Sequence, residues 1–466
     1  MTKSDLHYRG LTEVSALLAR REVSPVELTK ALLARIARLD KKLHGYAHLM
    51  ADSAMTQAKR AEREILRGQW RGPLHGVPIA VKDLCFTRGV RTACGTTILA
   101  NWKPDYSATV VERLALAGAV LLGKLQMTEG AFADHHPKVV APVNPWGAKH
   151  WPGASSSGSG VATAAGLCYG SLGSDTGGSI RFPSTSNGVT GLKPTWGRVS
   201  RYGVFALSES MDHIGPMARS AADAAAILGV IAGADPLDPT ALRAPVPDYL
   251  AALAGGVRGL RIGVDRKFIT AGVDKPVVEA VDGALETLVQ LGAEIRDIAF
   301  PSIDAVLAGW LNFCAVETAV AHEKTFPARA DEYGPALRGL IEAGRALGGA
   351  DLTKILLDRQ AFNGRLAAVF DDVDVIAVPA MYMTVPSLKQ MATLGEDPEA
   401  IGKLLRFTAP LDTSGSPTIT LPCGFDAKGL PIGFQLIGRH LSEDLLCRAG
   451  HAYQSVTEWH TRHPDL

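Results

Sequence analysis

Apolar residues recur at helical spacing through residues 11–69. Leu11, Val14, Leu17 and Leu18 share one face, and Val26, Leu28, Leu32, Leu33, Ile36 and Leu39 form a second stripe. Ser24-Pro25-Val26-Glu27 reads as the start of that second helix, with Ser as N-cap, Pro in the first turn and an acidic residue behind it. A third helix, rich in Ala, Lys, Arg and Glu, is predicted over 51–67 and stops before Gly68. The pattern changes at Gly72-Pro73, where short apolar runs begin to alternate with helices and glycine punctuation. Strands are predicted at 77–81, 119–122, 189–192, 260–264, 373–378, 417–421 and 432–437. Helices are predicted at 108–116, 159–166, 221–231, 275–291 and 445–453. Residues 302–365 lack strand signals and read as helical. This alternation predicts an α/β fold: a single large domain whose central mixed, mostly parallel sheet is covered by helices on both faces. Residues 1–70 form its N-terminal helical segment.

Composition narrows the class. The 466 residues carry 48 Lys+Arg against 47 Asp+Glu, a net charge of +1, which argues against an electrostatic nucleic-acid binder. Hydrophobic residues make up 47% and charged residues 20%, an ordinary globular mix. The six cysteines (Cys85, Cys94, Cys168, Cys314, Cys423 and Cys447) form no C-x-x-C pair, so free buried thiols in a reducing compartment are expected. Met1–Gly10 is polar and shows no secretory h-region. No apolar stretch is read as reaching the ~18–20 residues of a membrane span. The expectation is a cytoplasmic protein with neither membrane nor nucleic-acid partner. Residues 233–247, rich in Pro and Asp, read as a long surface connection, since the β/α rhythm resumes beyond them.

Two loops rich in small residues stand out, Gly153–Gly160 and Gly173–Arg181. Such runs let backbone N–H groups converge on an anion or oxyanion. A nucleotide reading fails. Gly118–Leu125 has the glycines and lysine of a phosphate loop, but Leu125 stands where Ser or Thr must bind magnesium, and no G-x-G-x-x-G follows an early strand. Neither loop meets the G-x-S-x-G pattern of a serine hydrolase with a histidine base. Nothing in the spacing of His75, His135, His136, His150 and His213 singles one out. Lysine is the other candidate base. The apolar run before Lys82 delivers it to a strand end, and a lysine in a dry site accepts a proton.

Taken together, the lysine in Gly76–Asp83, the loop Gly153–Gly160 and the run Gly173–Pro183 leading to Gly188–Thr195 resemble the amidase signature family of Ser–Ser–Lys hydrolases. The likeness continues to Gly429–Gln435 and covers roughly 72–453, within a catalytic domain placed at 71–455. The resemblance implies that Ser179 is the nucleophile and forms an acyl-enzyme. It makes Ser155 a bridging serine after a cis peptide bond, and Lys82 the terminal base. Backbone N–H groups of Thr176, Gly177, Gly178 and Ser179 are the implied oxyanion hole. Asp175 and Arg181 are expected to brace that loop, and Ser156 to hydrogen-bond within the same network. Two positions depart from the family's Gly-Gly-Ser-Ser-Gly-Gly-Ser: Ala154 and Ser157 each replace a glycine.

Within the family, the expected activity is that of a stand-alone hydrolase of amides, with anilides, carbamates and esters as further substrates. The alternative is a glutamine-dependent amidotransferase A-type subunit. Its glutamine-binding helical segment finds no match in 302–365, which instead reads as flanking the substrate pocket. Met127, Phe132, Trp310 and Phe313, with Phe326, are the candidate pocket residues. Residues 381–400, with Pro386 and Gly395, read as a loop near the pocket. No metal or cofactor is implied, and a homodimer is expected.

Overall fold

Eleven strands form one sheet in a computed structural model that describes residues 3–466. They are β1 (Tyr46–Leu49), β2 (Pro78–Lys82), β3 (Val120–Leu125), β4 (Gly170–Asp175), β5 (Thr190–Lys193) and β6 (His213–Ala218). The rest are β7 (Arg261–Val264), β8 (Glu294–Asp297), β9 (Val375–Pro379), β10 (Thr418–Phe425) and β11 (Pro431–Gly438). Across the sheet the order is β1-β3-β2-β4-β6-β5-β10-β11-β9-β7-β8. Every residue of β2, β3, β4, β6, β9 and β11 is buried, as expected of strands covered on both faces.

The sheet is mixed, as predicted, but it is not mostly parallel. Only β3–β2, β2–β4, β9–β7 and β7–β8 run parallel; the other neighbouring pairs are antiparallel. The reason is local at β10–β11, which are joined by a tight turn that Gly429 closes at φ +77°. A turn that short cannot make the crossover a parallel pair needs.

The N-terminal segment joins the sheet. Helix Pro25–Leu43 starts at the predicted N-cap: Ser24 accepts from the Glu27 N–H at 3.0 Å, and the Glu27 carboxylate accepts from the Ser24 N–H at 3.3 Å, which completes a capping box. Between it and helix Ala51–Leu66, a stretch that reads as helical contains β1, which pairs antiparallel with β3. Strands β4, β6 and β8 are also not apparent from periodicity. In β4 the sequence Gly-Ser-Leu-Gly-Ser-Asp offers a single large apolar residue.

Residues 302–365 are helical as expected, in helices Asp304–Ala321, Pro335–Ala346 and Gly349–Val369. The first of these corrects one reading. By length and composition alone, Asp304–Ala321 is apolar enough to cross a membrane. Here it packs against the other two helices and buries Trp310, Phe313 and Cys314. The stretch 381–400 contains helix Leu388–Leu394 and the start of helix Pro398–Leu405.

Candidate active site

β2 ends on Lys82, and its neighbour β4 ends on Ser174 and Asp175. The two strands are parallel, with Val81 opposite Leu172, so these residues emerge together at the carboxyl edge of the sheet. Lys82 is fully buried. Its Nζ lies 2.6 Å from Ser155 Oγ, 2.9 Å from Ser156 Oγ and 2.8 Å from Ser174 Oγ. All three partners are hydroxyls. Burial pushes the lysine down from 10.5 to about 7, against the more distant pull of Asp175 and Asp212.

The serine loop is held close by the absence of side chains. At Gly173 of β4, a Cβ would come within 2.9 Å of Ser156 Oγ. At Gly153, with φ +81°, it would stand 2.4 Å from the Pro183 backbone. The Ala154–Ser155 peptide bond is cis, and Ala154 is half-buried within the loop. The Ser155 carbonyl accepts from the Thr128 N–H at 3.2 Å. Ser156 Oγ donates to the Ser174 carbonyl at 3.1 Å and accepts from the Ser174 N–H at 3.2 Å.

The loop from Asp175 to Arg181 is braced throughout. Asp175 accepts from the Gly178 N–H at 2.6 Å and the Ile180 N–H at 2.9 Å. It also takes Arg181 Nε at 3.0 Å and Nη2 at 2.8 Å. Burial alone would raise this carboxyl, but the Arg181 guanidinium holds it well below the usual carboxylate range. The same guanidinium reaches Asp412 Oδ2 at 2.5 Å and the Thr408 carbonyl at 2.9 Å. Thr408 Oγ1 donates to the Gly177 carbonyl at 2.7 Å, and Trp310 Nε1 to the Thr176 carbonyl at 2.9 Å. Thr176 Oγ1 donates to Asp212 at 2.6 Å, and burial pushes Asp212 up to about 6. Ser179 is half-buried, and its hydroxyl has no hydrogen-bond partner among the described residues.

One expectation needs correction. The resemblance puts the Gly178 N–H in the oxyanion hole, but Asp175 takes it. The N–H groups of Gly177 and Ser179 are left unengaged by the described residues. Trp310 crowds Gly177 and Phe182 crowds Gly178, where a Cβ would meet those rings at 2.3 and 2.4 Å.

The structure thus brings together Lys82, Ser155, Ser156, Asp175–Ser179 and Arg181. The candidate pocket residues do not gather as one set. Trp310 reaches the Thr176–Gly177 turn, and Phe313 lies beneath the Arg359 guanidinium. Met127 is buried in the main core. Phe326 belongs to a separate cluster with Tyr333, Leu337 and Ile341, against which Phe132 also packs. Sequence reasoning missed Ser174, Asp212, Thr408 and Asp412. Ser174 sits in the unrecognised strand β4, and the other three come from distant segments with no local signal. Among the described residues no group of three His, Cys, Asp or Glu stands where it would hold a metal ion.

Known proteins resemble this chain over nearly its whole length. The Amidase family profile matches residues 27–447. "Putative amidase AmiD" of Mycobacterium tuberculosis (strain ATCC 25618 / H37Rv) is 50% identical over 456 residues, covering 98% of this chain and 96% of the relative. The A-type subunit of the glutamyl-tRNA(Gln) amidotransferase of Roseiflexus sp. (strain RS-1) is 42% identical, covering 99% of both chains. Among solved structures, the native peptide amidase from Stenotrophomonas maltophilia superposes with a TM-score of 0.82 at 30% identity, over 98% of this chain and 97% of that one.

Proposed function

The chain belongs to the amidase family, and on that premise we propose that it cleaves the C–N bond of amides through an acyl-enzyme on Ser179. The observation that carries the reading is the Lys82 cluster: a buried amine whose three polar contacts are all hydroxyls.

A neutral lysine has two N–H groups and one lone pair. Ser156 commits its own proton to the Ser174 carbonyl, so it accepts one Lys82 N–H. With the second N–H donated to Ser174 Oγ, the lone pair faces the Ser155 hydroxyl at 2.6 Å. As Ser179 Oγ attacks the scissile carbonyl, its proton passes to Ser155 Oγ, and the Ser155 proton passes to Lys82. The Ser179 hydroxyl, held by no partner among the described residues, is free to turn between Ser155 and a substrate; such contacts tighten once substrate is bound. The developing oxyanion takes the N–H groups of Gly177 and Ser179. Lys82 then returns a proton through Ser155 to the leaving amine, and water cleaves the Ser179 ester. Anilides, carbamates and esters present the same attacked carbonyl and fall within reach of this chemistry.

The test is a panel of an aliphatic amide, an anilide, an aryl carbamate and an ester, each with wild type and Ser179→Ala. Turnover by wild type and none by Ser179→Ala is expected, and the panel ranks the substrate classes. Turnover retained in Ser179→Ala sinks the acyl-enzyme. The relatives named as amidotransferase subunits support a second reading. Ammonia release from glutamine, with no turnover across the panel, would favour it.

A further inference from the structure

Ser157 lies two residues beyond Ser155, and the structure gives it a partner. Its hydroxyl is buried, and its one hydrogen bond among the described residues is to His135 Nε2 at 3.1 Å. Ser157 opens helix Ser157–Ala164. The segment carrying His135 is tied to the same loop at a second place. The Thr128 N–H donates to the Ser155 carbonyl at 3.2 Å, and the Glu129 N–H to the Asp134 carbonyl at 2.8 Å. Residues 128–135 are therefore joined to the loop that carries Ser155, the closest partner of Lys82. Burial first, and the nearby Lys82 ammonium second, push His135 down to about 4. At neutral pH its ring is neutral, with one N–H and one bare nitrogen.

The buried hydroxyl decides which nitrogen is bare. A buried O–H without an acceptor is costly, whereas an unused lone pair is tolerated better. Among the described residues Nε2 is the one acceptor the Ser157 hydroxyl reaches, so Nε2 is bare and the proton sits on Nδ1. Nδ1 has no partner among the described residues, and it is not among the polar atoms sealed from solvent.

We propose that His135, clipped to Ser157, is a specificity-determining residue whose Nδ1–H donates to a second acceptor oxygen of the substrate, outside the scissile bond. The substrate class this favours is an amide bearing a further carbonyl or ether oxygen, over its hydrocarbon isostere. The proposal rests on the Ser179 acyl-enzyme reading.

The experiment uses pairs of nitroanilides differing only by oxygen for methylene, walked along the acyl chain and around the aniline ring. Wild type should favour the oxygen member of at least one pair by about tenfold in kcat/KM, the effect of one neutral hydrogen bond. His135→Phe should bring that ratio to about one. His135→Gln, which keeps a donor, should retain part of it. Ser157→Gly should lower it severalfold by releasing the ring. No preferred pair in wild type, or a ratio unchanged in His135→Phe, overturns the proposal. ¹⁵N–¹H spectra of histidine-labelled protein give a readout that needs no turnover: proton on Nδ1 is expected, and proton on Nε2 overturns the assignment. Ser179→Ala separates the two claims, because pairs still hydrolysed by that variant would remove the acyl-enzyme reading rather than the role of His135.

Discussion

Two fully buried lysines stand on neighbouring strands and are held in opposite ways. Lys82 ends β2 among three hydroxyls. Lys124 lies on β3, opposite Val81, and meets Asp83, the residue after Lys82, at 3.2 Å. It also donates to Thr92 Oγ1 at 2.8 Å, while Asp83 Oδ2 accepts the N–H groups of Ala93 and Cys94. Asp83 thus turns its counter-charge to the structural lysine and away from its own neighbour. A buried cation beside a carboxylate is a fastening. A buried amine among hydroxyls has nothing to neutralise its charge at contact distance, so it gives up its proton near neutral pH.

The largest effect that would break this comparison is at Lys82. Lys82→Ala should lower kcat/KM by about ten-thousandfold, the upper range for a positioned base. The melting temperature should move little, because the three hydroxyls left behind can take up water. Steady-state kinetics beside a thermal melt checks both halves, and an active Lys82→Ala would remove the relay.

At Lys124 the pattern should invert. Lys124→Met strands the Asp83 carboxyl in the core and should cost about 3–5 kcal/mol of stability, with turnover per folded molecule kept. Adding Asp83→Asn should recover part of the loss, since the uncompensated charge goes with it. Denaturant titration of the two single variants and the double reads the coupling. Equal loss of activity in Lys82→Ala and Lys124→Met would mean that both lysines only hold the fold.

The pH dependence sharpens the same contrast. The relay needs neutral Lys82, and that lysine sits at about 7. Below this value kcat/KM should fall about tenfold per pH unit, with a plateau above it. Stability responds to the same group with the same sign but over a different pH window. The unfolded chain holds this proton up to 10.5 and the folded chain only to about 7. Between those values the unfolded state binds more protons, so this group's contribution to stability improves as pH rises from 7 to 10.5. A pH–rate profile of wild type tests the first sign, and melts of wild type against Lys82→Met test the second.

How much of this was legible in the chain depends on the kind of interaction. β2 announces itself as an apolar run, and the helix at Ser24 carries its cap in the sequence. The glycines and serines of both loops mark close backbone approach in the sequence itself. β4 hides for the same reason it matters. Gly173 leaves room for Ser156 Oγ, and Ser174 gives Lys82 a third hydroxyl, so the strand lacks the bulky alternation that betrays a strand. Asp412 and Thr408 reach Arg181 from more than two hundred residues away, and no local pattern encodes that meeting. The commitment of the Gly178 N–H to Asp175 is a matter of angle at a loop with φ +135°, which spacing alone does not carry.

Trp310 offers the smallest and most discriminating test. Its indole does two things at the Thr176–Ser179 turn. The N–H donates to the Thr176 carbonyl at 2.9 Å, and the ring fills the space that a Cβ on Gly177 would occupy. Trp310→Phe removes the hydrogen bond and keeps a ring; Trp310→Ala removes both. One neutral hydrogen bond contributes about 0.5–1.5 kcal/mol. If the indole aims the Gly177 N–H, Trp310→Phe should lower kcat by up to about tenfold with KM little changed, since an oxyanion donor acts on the transition state more than on bound substrate. If the residue only packs, Trp310→Phe should be near neutral in kcat, and Trp310→Ala should lose stability by about 3–5 kcal/mol as a cavity variant does. The same side chain would then belong with Lys124, as part of the frame, rather than with Lys82.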